Sequence, residues 1–291
     1  MRLSASVVAI AGKLGYPEAM RAIKAAGFGA YDFPLRSLTK EPDAPLMRED
    51  YPDFLRQVRQ AAGEAGLVCS LAHATFPPEK YGDEEYNKAT FARIVREIEA
   101  AAFLGAPIIV VHAVKPLPKG VDAIAENLRF YRSLIPYSEK YNIKIGVENL
   151  FELDELRDRR KPCCIGTSDK LAAFVDLLND DRFTVCMDVG HAAINVEDPQ
   201  DAIRTLGKRI GCVHIHDNDF VNDLHTIPYL GKADWDEICK AFAEVGYKGD
   251  FTSETGFVNA FPAELIPAAL KFEATIFRHL AEKIENYRNT V

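Results

Sequence analysis

The chain has 291 residues, of which 48% are hydrophobic, and its formal net charge is −8. This length suits one large domain or two small ones, and a sizeable core can be buried in either case. The acidic total makes duplex nucleic acid an unfavourable partner. Because the sequence contains no run of 18 apolar residues, no membrane span is expected either.

The six cysteines indicate a reducing compartment. They form no C-x-x-C pair, and Cys69, Cys186 and Cys212 lie in apolar strand-like runs, where a thiol acts as a small hydrophobic side chain. The chain starts with Met1-Arg2 and passes directly into a strand-like segment, without the apolar region of a signal peptide. We therefore expect a cytoplasmic protein.

Apolar runs that read as strands alternate along the chain with amphipathic stretches that read as helices. The predicted strands cover residues 3–10, 30–33, 67–73, 107–112, 143–148, 183–188, 210–217 and 249–254. The predicted helices cover residues 16–27, 51–65, 83–104, 121–141, 170–179, 200–206, 232–245 and 262–286. Residues 36–49 are predicted as a loop over a barrel mouth, and residues 151–167 as a charged, irregular segment.

This alternation predicts a parallel sheet with right-handed crossovers. Eight strand-then-helix units in a chain of this length favour a closed (β/α)8 TIM barrel that spans residues 1–291 as a single domain. The alternative is an open doubly wound sheet. It would call for a glycine-rich phosphate turn after the first strand, where residues 9–15 read only Ala-Ile-Ala-Gly-Lys-Leu-Gly.

Function in such a barrel lies where strands end and the following loops begin. Six of the seven histidines fall at or beside these ends, whereas His279 lies on the last predicted helix and is expected at the surface or in packing. The candidate residues at the predicted strand ends and in the loops that follow are His73, His112, Glu148, Asp188, His191, His214, Asp223, His225 and Glu254.

Four of these residues make a plausible metal site. Glu148, Asp188, His214 and Glu254 supply three carboxylates and one imidazole, a mostly oxygen set that suits Mn2+, Mg2+ or Co2+ and also admits Zn2+. Four protein ligands leave positions on the ion for water or substrate oxygens. The competing interpretation is that each carboxylate caps a neighbouring helix or pairs with Arg or Lys.

The other candidates have alternative interpretations. His191 follows Asp188 across a glycine turn and is expected to act catalytically, to bind substrate, to support the metal ligands through hydrogen bonds or to ligate another metal; the alternative is a purely structural histidine. The residues considered for a second or third metal, or for substrate binding, are His73, His112, His191, Asp223, His225, His216 and Lys115.

Further side chains carry weaker signals. Lys115 would meet a phosphate or a carboxylate, or remain solvated. His216 next to Asp217 suggests an orienting pair. Trp235 is expected in packing rather than as a sugar platform. The basic run at residues 157–161 is expected to be a solvated loop that is also able to reach an anionic substrate.

Four motifs in order resemble those of the xylose isomerase-like barrel superfamily, and specifically its sugar phosphate isomerase/epimerase group. They are Gly-Val-Glu148-Asn149, Met-Asp188-Val-Gly-His191, Val-His214-Ile-His-Asp217-Asn-Asp and Ser-Glu254-Thr. That group includes ketose 3-epimerases and inosose-processing enzymes. The resemblance covers nearly the whole chain, and its motifs are specific for the superfamily but weak for substrate.

The resemblance implies a function. Glu148, Asp188, His214 and Glu254 match the family's divalent-metal ligands, with manganese as the leading expectation. Glu148 and Glu254 also match the two acids that move protons at the substrate carbon. The implied activity is a metal-dependent isomerase or epimerase that acts on a small sugar, sugar phosphate or inosose through an enediolate. The chain departs from sugar 3-epimerases at one point, because no Arg follows His214 in Ile-His-Asp-Asn-Asp-Phe220.

A second function remains open within the superfamily. Endonuclease IV-like enzymes are trinuclear zinc phosphodiesterases, and all nine of their metal-binding places are filled here. Against this stand the acidic total and the lack of basic, aromatic-bearing DNA loops. A third alternative is a non-enzymatic sugar-binding barrel with a structural metal. The expected partner is a small sugar or polyol, with a homo-oligomer as a further expectation and neither nucleic acid nor a membrane.

Overall fold

A computed structural model describes residues 1–154 and 156–289 of the chain. Its main feature is a closed barrel of eight parallel strands, with the helices on the outside. Within the described ranges, no helix has both the length and the apolar character that crossing a membrane requires.

The barrel closes because the first strand pairs with both the second and the last. The barrel strands are Leu3–Ser6 (β1), Ala30–Pro34 (β2), Val68–His73 (β3), Ile108–Val111 (β4), Lys144–Glu148 (β5), Phe183–Asp188 (β8), Ile210–Ile215 (β9) and Phe251–Ser253 (β10). Their order around the barrel is β1-β10-β9-β8-β5-β4-β3-β2. The closed barrel confirms the predicted fold class and excludes the open doubly wound sheet.

Helices connect the strands and cover their outer faces. They are Val8–Leu14 (α1), Tyr16–Ala26 (α2), Arg36–Thr39 (α3), Tyr51–Ala65 (α4), Glu84–Leu104 (α5), Ala123–Ser133 (α6), Ile135–Tyr141 (α7), Ser168–Leu178 (α8), Val189–Ile194 (α9), Pro199–Leu206 (α10), Trp235–Glu244 (α11) and Ile266–Arg288 (α12). Short 3-10 turns occur at Pro45–Met47, Gly207–Arg209, Val258–Ala260 and Ala263–Leu265.

The inner wall of the barrel explains why the site residues converge. Successive side chains of a strand point to opposite faces, so residues two apart share a face. A small buried cluster is formed by Leu71, Ile108, Val110, Cys186 and Cys212. The residues two places after Leu71, Val110, Cys186 and Cys212 are His73, His112, Asp188 and His214. The site therefore lies one layer above this inner cluster, at the carboxyl ends of the strands.

Glu148 follows the same rule through a glycine. A Cβ atom on Gly146 would lie 3.2 Å from Ile108 and 3.4 Å from both Cys212 and Val110, so position 146 faces the barrel interior. The absence of a side chain there keeps the layer below Glu148 within normal packing distance.

Several predicted boundaries are wrong. The first strand ends at Ser6 rather than at residue 10, because Val7, Ile10 and Ala11 are buried at helical spacing and form the start of α1. The helix predicted at residues 121–141 is two helices that meet at Leu134. Pro136 has no N–H for the carbonyl four residues earlier, so one continuous helix would lose that hydrogen bond.

The loop predictions also need correction. Residues 36–49 contain the short helix α3 and a 3-10 turn, and α9 follows β8 directly where no helix was expected. The last helix begins at Ile266, because residues 263–265 form a separate 3-10 turn.

The charged segment after β5 is an ordered hairpin. Phe151–Asp154 (β6) pairs antiparallel with Arg159–Pro162 (β7). Two ion pairs form within the hairpin: Lys161 lies 3.0 Å from Glu152 across the strands, and Arg157 lies 2.8 Å from Asp154 at the turn. The expectation of an irregular segment was wrong for residues 151–162, because backbone pairing and these ion pairs order the two strands.

Candidate metal centre

All the predicted site residues lie at the carboxyl-terminal rim of the barrel, and their donor atoms fall into three groups. The central group is Glu148, Asp188, His214 and Glu254; the β3–β4 group is His73, His112 and Glu148; the loop group is His191, His216, Asp223 and His225. Within each group the donor atoms lie within 4.8 Å of one another. Among the seven histidines, only His279 lies away from this rim, and it is exposed on α12 as expected.

The central group is built around one imidazole nitrogen. Nδ1 of His214 lies 2.7 Å from Oε1 of Glu148, 3.3 Å from Oε2 of Glu254 and 3.8 Å from Oδ2 of Asp188. Glu148, Asp188 and His214 are almost completely buried, whereas Glu254 is 26% exposed. Glu254 is therefore the member of this group most open to the cavity.

The β3–β4 group brings two histidines onto the second oxygen of Glu148. Nε2 of His112 lies 2.8 Å from Oε2 of Glu148 and 3.0 Å from Nε2 of His73. Nδ1 of His73 donates to the Ala74 carbonyl at 2.9 Å, which leaves the lone pair on Nε2 facing the other donors. Ligands on a tetrahedral zinc ion are spaced about 3.3 Å apart, close to these separations.

The loop group combines α9 with the segment after β9. Asp223 lies 3.2 Å from Nε2 of His225 and 3.7 Å from Nε2 of His191. Nδ1 of His225 donates to the Glu254 carbonyl at 2.7 Å, and its Nε2 points at Oδ2 of Asp223. This bond also joins the loop group to the central group through the backbone of Glu254.

His216 has a different partner from the expected one. Its Nε2 lies 3.0 Å from Oδ1 of Asp188, and its ring stacks on His225 with centroids 4.0 Å apart. Asp217 instead accepts hydrogen bonds from Nε1 of Trp235 at 2.8 Å and from the Tyr229 amide at 3.1 Å. The predicted His216–Asp217 orienting pair is therefore wrong, while Trp235 is buried in packing as expected.

The electrostatics of the centre favour a cation. Burial, together with the charges of Glu148 and Asp188, holds the pKa of Glu254 well above its usual value. Burial acts in the same direction on Glu148, but the imidazoles of His214, His112 and His73 outweigh it and hold that pKa well below its usual value. Burial would lower the pKa of His191, but Asp188 and Asp223 raise it to about 9.

Several buried donor atoms in the centre lie close to other ligand atoms but make no hydrogen bond of normal geometry with them. They are Oε2 of Glu148, Oε2 of Glu254, Nδ1 of His191 and Oδ1 of Asp223. Buried polar atoms are normally satisfied, and unpaired ones are costly. Because one atom or more in every group shows this deficit, the residues present fit bound divalent ions. The central group has the hard oxygen-rich composition of a Mn2+, Mg2+ or Co2+ site, and the two histidine-rich groups suit Zn2+.

A cavity of about 340 Å3 opens above the three groups. Its floor carries seven of the candidate metal ligands, and its walls add Lys115, Ala113 and an apolar set made of Phe76, Pro77, Pro78, Leu150 and Phe151. Phe76 stacks on His112 with centroids 4.5 Å apart, and Phe151 meets His191 edge-on at 5.1 Å. The cavity is large enough for a monosaccharide-sized ligand.

Buried polar side chains position the strand ends, and most were not selected from the sequence. Asn149 donates to the Asp188 carbonyl at 2.8 Å and accepts from the Asp188 amide at 2.7 Å. Glu273 on α12 accepts from Ser253 at 2.6 Å and also from Thr255, so both neighbours of Glu254 are held from outside the barrel.

Glu97 on α5 serves the neighbouring wall in the same way. It accepts from the Thr75 amide at 2.7 Å and from the Thr39 hydroxyl at 2.6 Å. The detectable signal for Glu97 and Glu273 is a carboxylate within the apolar stripe of an amphipathic helix. Asp32 is a further buried carboxylate, and burial raises its pKa to about 6. The sequence feature that could have identified it is an acidic residue within the apolar second strand.

Comparison with known proteins places the chain among related barrels. A family model described as xylose isomerase-like TIM barrel matches residues 20–274. The uncharacterized protein y4fM from Sinorhizobium fredii (strain NBRC 101917 / NGR234) is 29% identical over 167 residues, which are 54% of this chain and 50% of that protein.

Named epimerases are among the similar proteins. D-psicose 3-epimerase from Enterocloster bolteae (strain ATCC BAA-613) is 26% identical over 125 residues, which are 43% of this chain and 38% of that protein. A solved structure described as a D-tagatose 3-epimerase-like protein superposes with a TM-score of 0.75 at 21% identity, covering 100% of this chain and 99% of that one. The matched regions thus span half or less of these two curated relatives, whereas the structural likeness extends over the whole fold.

Proposed function

The chain belongs to the xylose isomerase-like TIM barrel family, and from that membership and its paired carboxylates we propose that it is a divalent-metal-dependent sugar isomerase or epimerase. One relative is named D-psicose 3-epimerase and one similar structure is described as D-tagatose 3-epimerase-like, which supports a substrate of monosaccharide size. The proposed reaction moves a proton at a carbon next to a carbonyl group, through an enediolate.

One observation carries this proposal. Two separate carboxylates, Glu148 and Glu254, approach the same imidazole nitrogen of His214 at 2.7 and 3.3 Å, and both line the sugar-sized cavity. An epimerase needs two proton-transfer groups at one carbon, held beside a group that stabilises developing negative charge. With a divalent ion bound, the central group would meet both requirements.

The residues of this chain would divide the work as follows. Glu148, Asp188, His214 and Glu254 would hold the ion, which supplies Lewis-acid stabilisation of the negative charge on the substrate oxygens when it is bound. One of the two glutamates accepts the proton from the carbon, and the other donates a proton back. Because two different carboxylates are involved, the returning proton can reach the other face and invert the carbon. The apolar walls at Phe76 and Phe151 exclude water from the reacting carbon.

Solvent-isotope exchange tests the proposal. Manganese-loaded protein is incubated in deuterium oxide with a panel of ketoses, aldoses and their uronate and phosphate derivatives, and deuterium incorporation at carbon is measured by NMR. We expect exchange with at least one sugar, and we expect Glu148→Gln and Glu254→Gln each to reduce its rate by about 100-fold or more, as for loss of a general acid or base.

A matched control separates proton transfer from general damage. Glu64 is an exposed carboxylate on α4, so Glu64→Gln should leave the exchange rate unchanged. Metal content is measured for every variant, because the two glutamates are also proposed ligands. No exchange across the panel, or full exchange by a Glu254→Gln protein that retains its metal, would reject the isomerase proposal.

A second candidate function is a trinuclear zinc phosphodiesterase. The specific observation in its favour is the arrangement of the nine matched residues into three neighbouring groups, with Glu148 shared between two of them. The acidic net charge and a cavity enclosed by Phe and Pro side chains speak against a nucleic-acid substrate.

Metal counting separates the two candidates. Protein purified without chelator is analysed for bound metal and assayed with bis-p-nitrophenyl phosphate. Close to three zinc ions per chain with hydrolysis of the diester would support the phosphodiesterase. One ion or fewer per chain, without hydrolysis, would reject it and leave the isomerase.

A further inference from the structure

One cation in the cavity wall has no carboxylate partner. Lys115 is the only Lys or Arg among the described residues that line the cavity. Its ammonium group donates to the Phe151 carbonyl and lies 5.2 Å from the centre of the Phe151 ring. No carboxylate in the described ranges forms a salt bridge with it. Since a lysine ammonium has three N–H donors, two remain available to a ligand.

The carboxylates nearest to Lys115 are already engaged elsewhere. The Cys163 thiol and the carboxylates of Glu148, Glu152 and Asp223 act on Lys115 only through longer-range attraction. Glu148 contacts the histidines of two metal groups, Glu152 pairs with Lys161 at 3.0 Å, and Asp223 faces His191 and His225. A half-buried ammonium without a counter-ion carries a desolvation cost that a ligand anion would offset.

Two arginines lie behind aromatic residues of the cavity walls. The guanidinium of Arg36 lies 4.3 Å from the centre of the Phe76 ring, and that of Arg160 lies 5.3 Å from the centre of the Phe151 ring. Arg160 is otherwise bonded to neutral groups, the Val221 carbonyl and the Asn222 amide oxygen. The cavity thus combines an acidic floor suited to metal ions with one cation, Lys115, in its wall and two more close to it.

We propose that Lys115 binds a carboxylate group of the substrate, so that the substrate is a sugar acid rather than a neutral sugar. This inference rests on the proposed function, because it assigns a substrate class to the same cavity. A monoanion fits better than a phosphate dianion for two reasons. Lys115 offers only two free donors, and the three longer-range carboxylates repel a dianion more strongly than a monoanion.

Ligand binding tests the inference without depending on turnover. Isothermal titration calorimetry on manganese-loaded protein would compare D-fructose with two derivatives changed only at carbon 6, the carboxylate (D-fructuronate) and the phosphate. We expect the carboxylate to bind about tenfold more tightly than the neutral sugar, the size expected for one charge-assisted contact.

Variants at position 115 identify the residue responsible. Lys115→Met should remove the preference for the carboxylate while changing the affinity for D-fructose by less than about twofold, and Lys115→Arg should restore part of the preference. Lys170 is the matched control. Together with Lys115 it lines a second, adjacent cavity, but it does not line the cavity above the candidate metal ligands. Lys170→Met should bind all three sugars as the wild type does.

Each other outcome overturns the inference. The inference fails if D-fructose and D-fructuronate bind equally tightly or if neither binds detectably. It also fails if the Lys115→Met variant still prefers D-fructuronate to D-fructose. Equal weakening of all three sugars by Lys115→Met would show that Lys115 only holds the hairpin through Phe151. A Lys115-dependent preference for the phosphate alone would reject the carboxylate. The solvent-exchange experiment distinguishes failure of this inference from failure of the proposed function. If a neutral ketose exchanges deuterium but the protein shows no preference for anionic sugars, the inference is rejected and the isomerase proposal stands.

Discussion

At the scale of single residues, the site depends on side chains that do not face the cavity. Glu254 is the clearest case, because Ser253 and Thr255 on either side of it both donate to Glu273 on α12. Residues 253 and 255 point away from the barrel interior while residue 254 points into it. Glu273 therefore sets the position of a proposed metal ligand without touching the metal site.

Substitution of Glu273 tests this positioning role. Glu273→Ala leaves one buried and one half-buried hydroxyl without an acceptor, and we expect a loss of about 2 kcal/mol in the free energy of unfolding. We also expect the affinity for Mn2+ to fall by about tenfold or more, as when outer partners of metal ligands are removed. Urea unfolding and competition with a metal-sensitive dye measure the two effects.

The control for Glu273 lies on the same helix. Glu282→Ala removes an exposed carboxylate of α12 and should change neither quantity. Glu273→Gln keeps one acceptor oxygen and should recover part of the metal affinity. If Glu273→Ala is destabilised but binds Mn2+ as tightly as the wild type, its role is structural only.

At the scale of elements, the fold was predictable wherever one periodicity dominated. The dense apolar runs before His73, Glu148 and Asp188 predicted strands, and the structure has strands there. Because functional residues of such barrels lie at strand ends, the last residues of these strands were correctly expected to lie close together. The predictions failed where charge pairing or a single proline decided the structure, as in the hairpin β6–β7 and at Pro136.

The grouping of the histidines could not be predicted from the linear sequence. Which donors share a group depends on which strands are neighbours and on the turn after β8, where the Asp188 side chain accepts from the His191 amide at 2.7 Å. The supporting residues Glu97 and Glu273 lie on outer helices, 22 and 20 residues along the chain from Thr75 and Ser253, which they hold. Their roles follow only from contacts across layers of the barrel.

Glu97 on α5 gives a pH-dependent prediction. It is fully buried, and burial raises its pKa from the ordinary 4.5 to about 7 despite its bonds to Thr39 and Thr75. The unfolded chain loses this proton near pH 4.5 and the folded chain only near pH 7. Stability contributed by this group therefore falls as the pH rises between these values.

Comparison with a neutral side chain isolates the contribution of Glu97. Between pH 5 and pH 8, chelator-treated wild type should lose up to about 3 kcal/mol of unfolding free energy relative to Glu97→Gln, measured by urea unfolding. Glu85→Gln, which removes an exposed carboxylate of the same helix, should show no such difference. A difference between wild type and Glu97→Gln that does not vary with pH would contradict the assignment.

At the scale of the whole molecule, the strand ends hold an excess of negative charge that a bound ion would neutralise. Four carboxylates of the three groups, Glu148, Asp188, Asp223 and Glu254, come from separate parts of the chain and meet at one end of the barrel. Bound cations would therefore link β5, β8, β9 and β10 to the loop after β9. Such links exist only in the folded state.

Metal removal should therefore lower the thermal stability of the whole barrel. At a free Mn2+ concentration of 100 times its dissociation constant, binding adds about 2.7 kcal/mol, which corresponds to a rise in Tm of about 5 °C for a chain of this size. Differential scanning calorimetry of chelator-treated protein with and without Mn2+ measures the shift. Asp188→Asn should reduce it sharply, and an unchanged Tm on metal addition would count against the centre.

The two oxygens of Glu148 face different neighbours, Oε1 towards His214 and Oε2 towards His112. A carboxylate shared in this way couples the occupancies of two adjacent coordination spheres. An ion bound on one side would fix the orientation of the Glu148 carboxylate. A second ion on the other side would then lose less free energy to ordering that side chain. Titration of the metal-free protein would then follow a cooperative isotherm rather than that of independent sites, and loss of this one side chain would abolish both steps together.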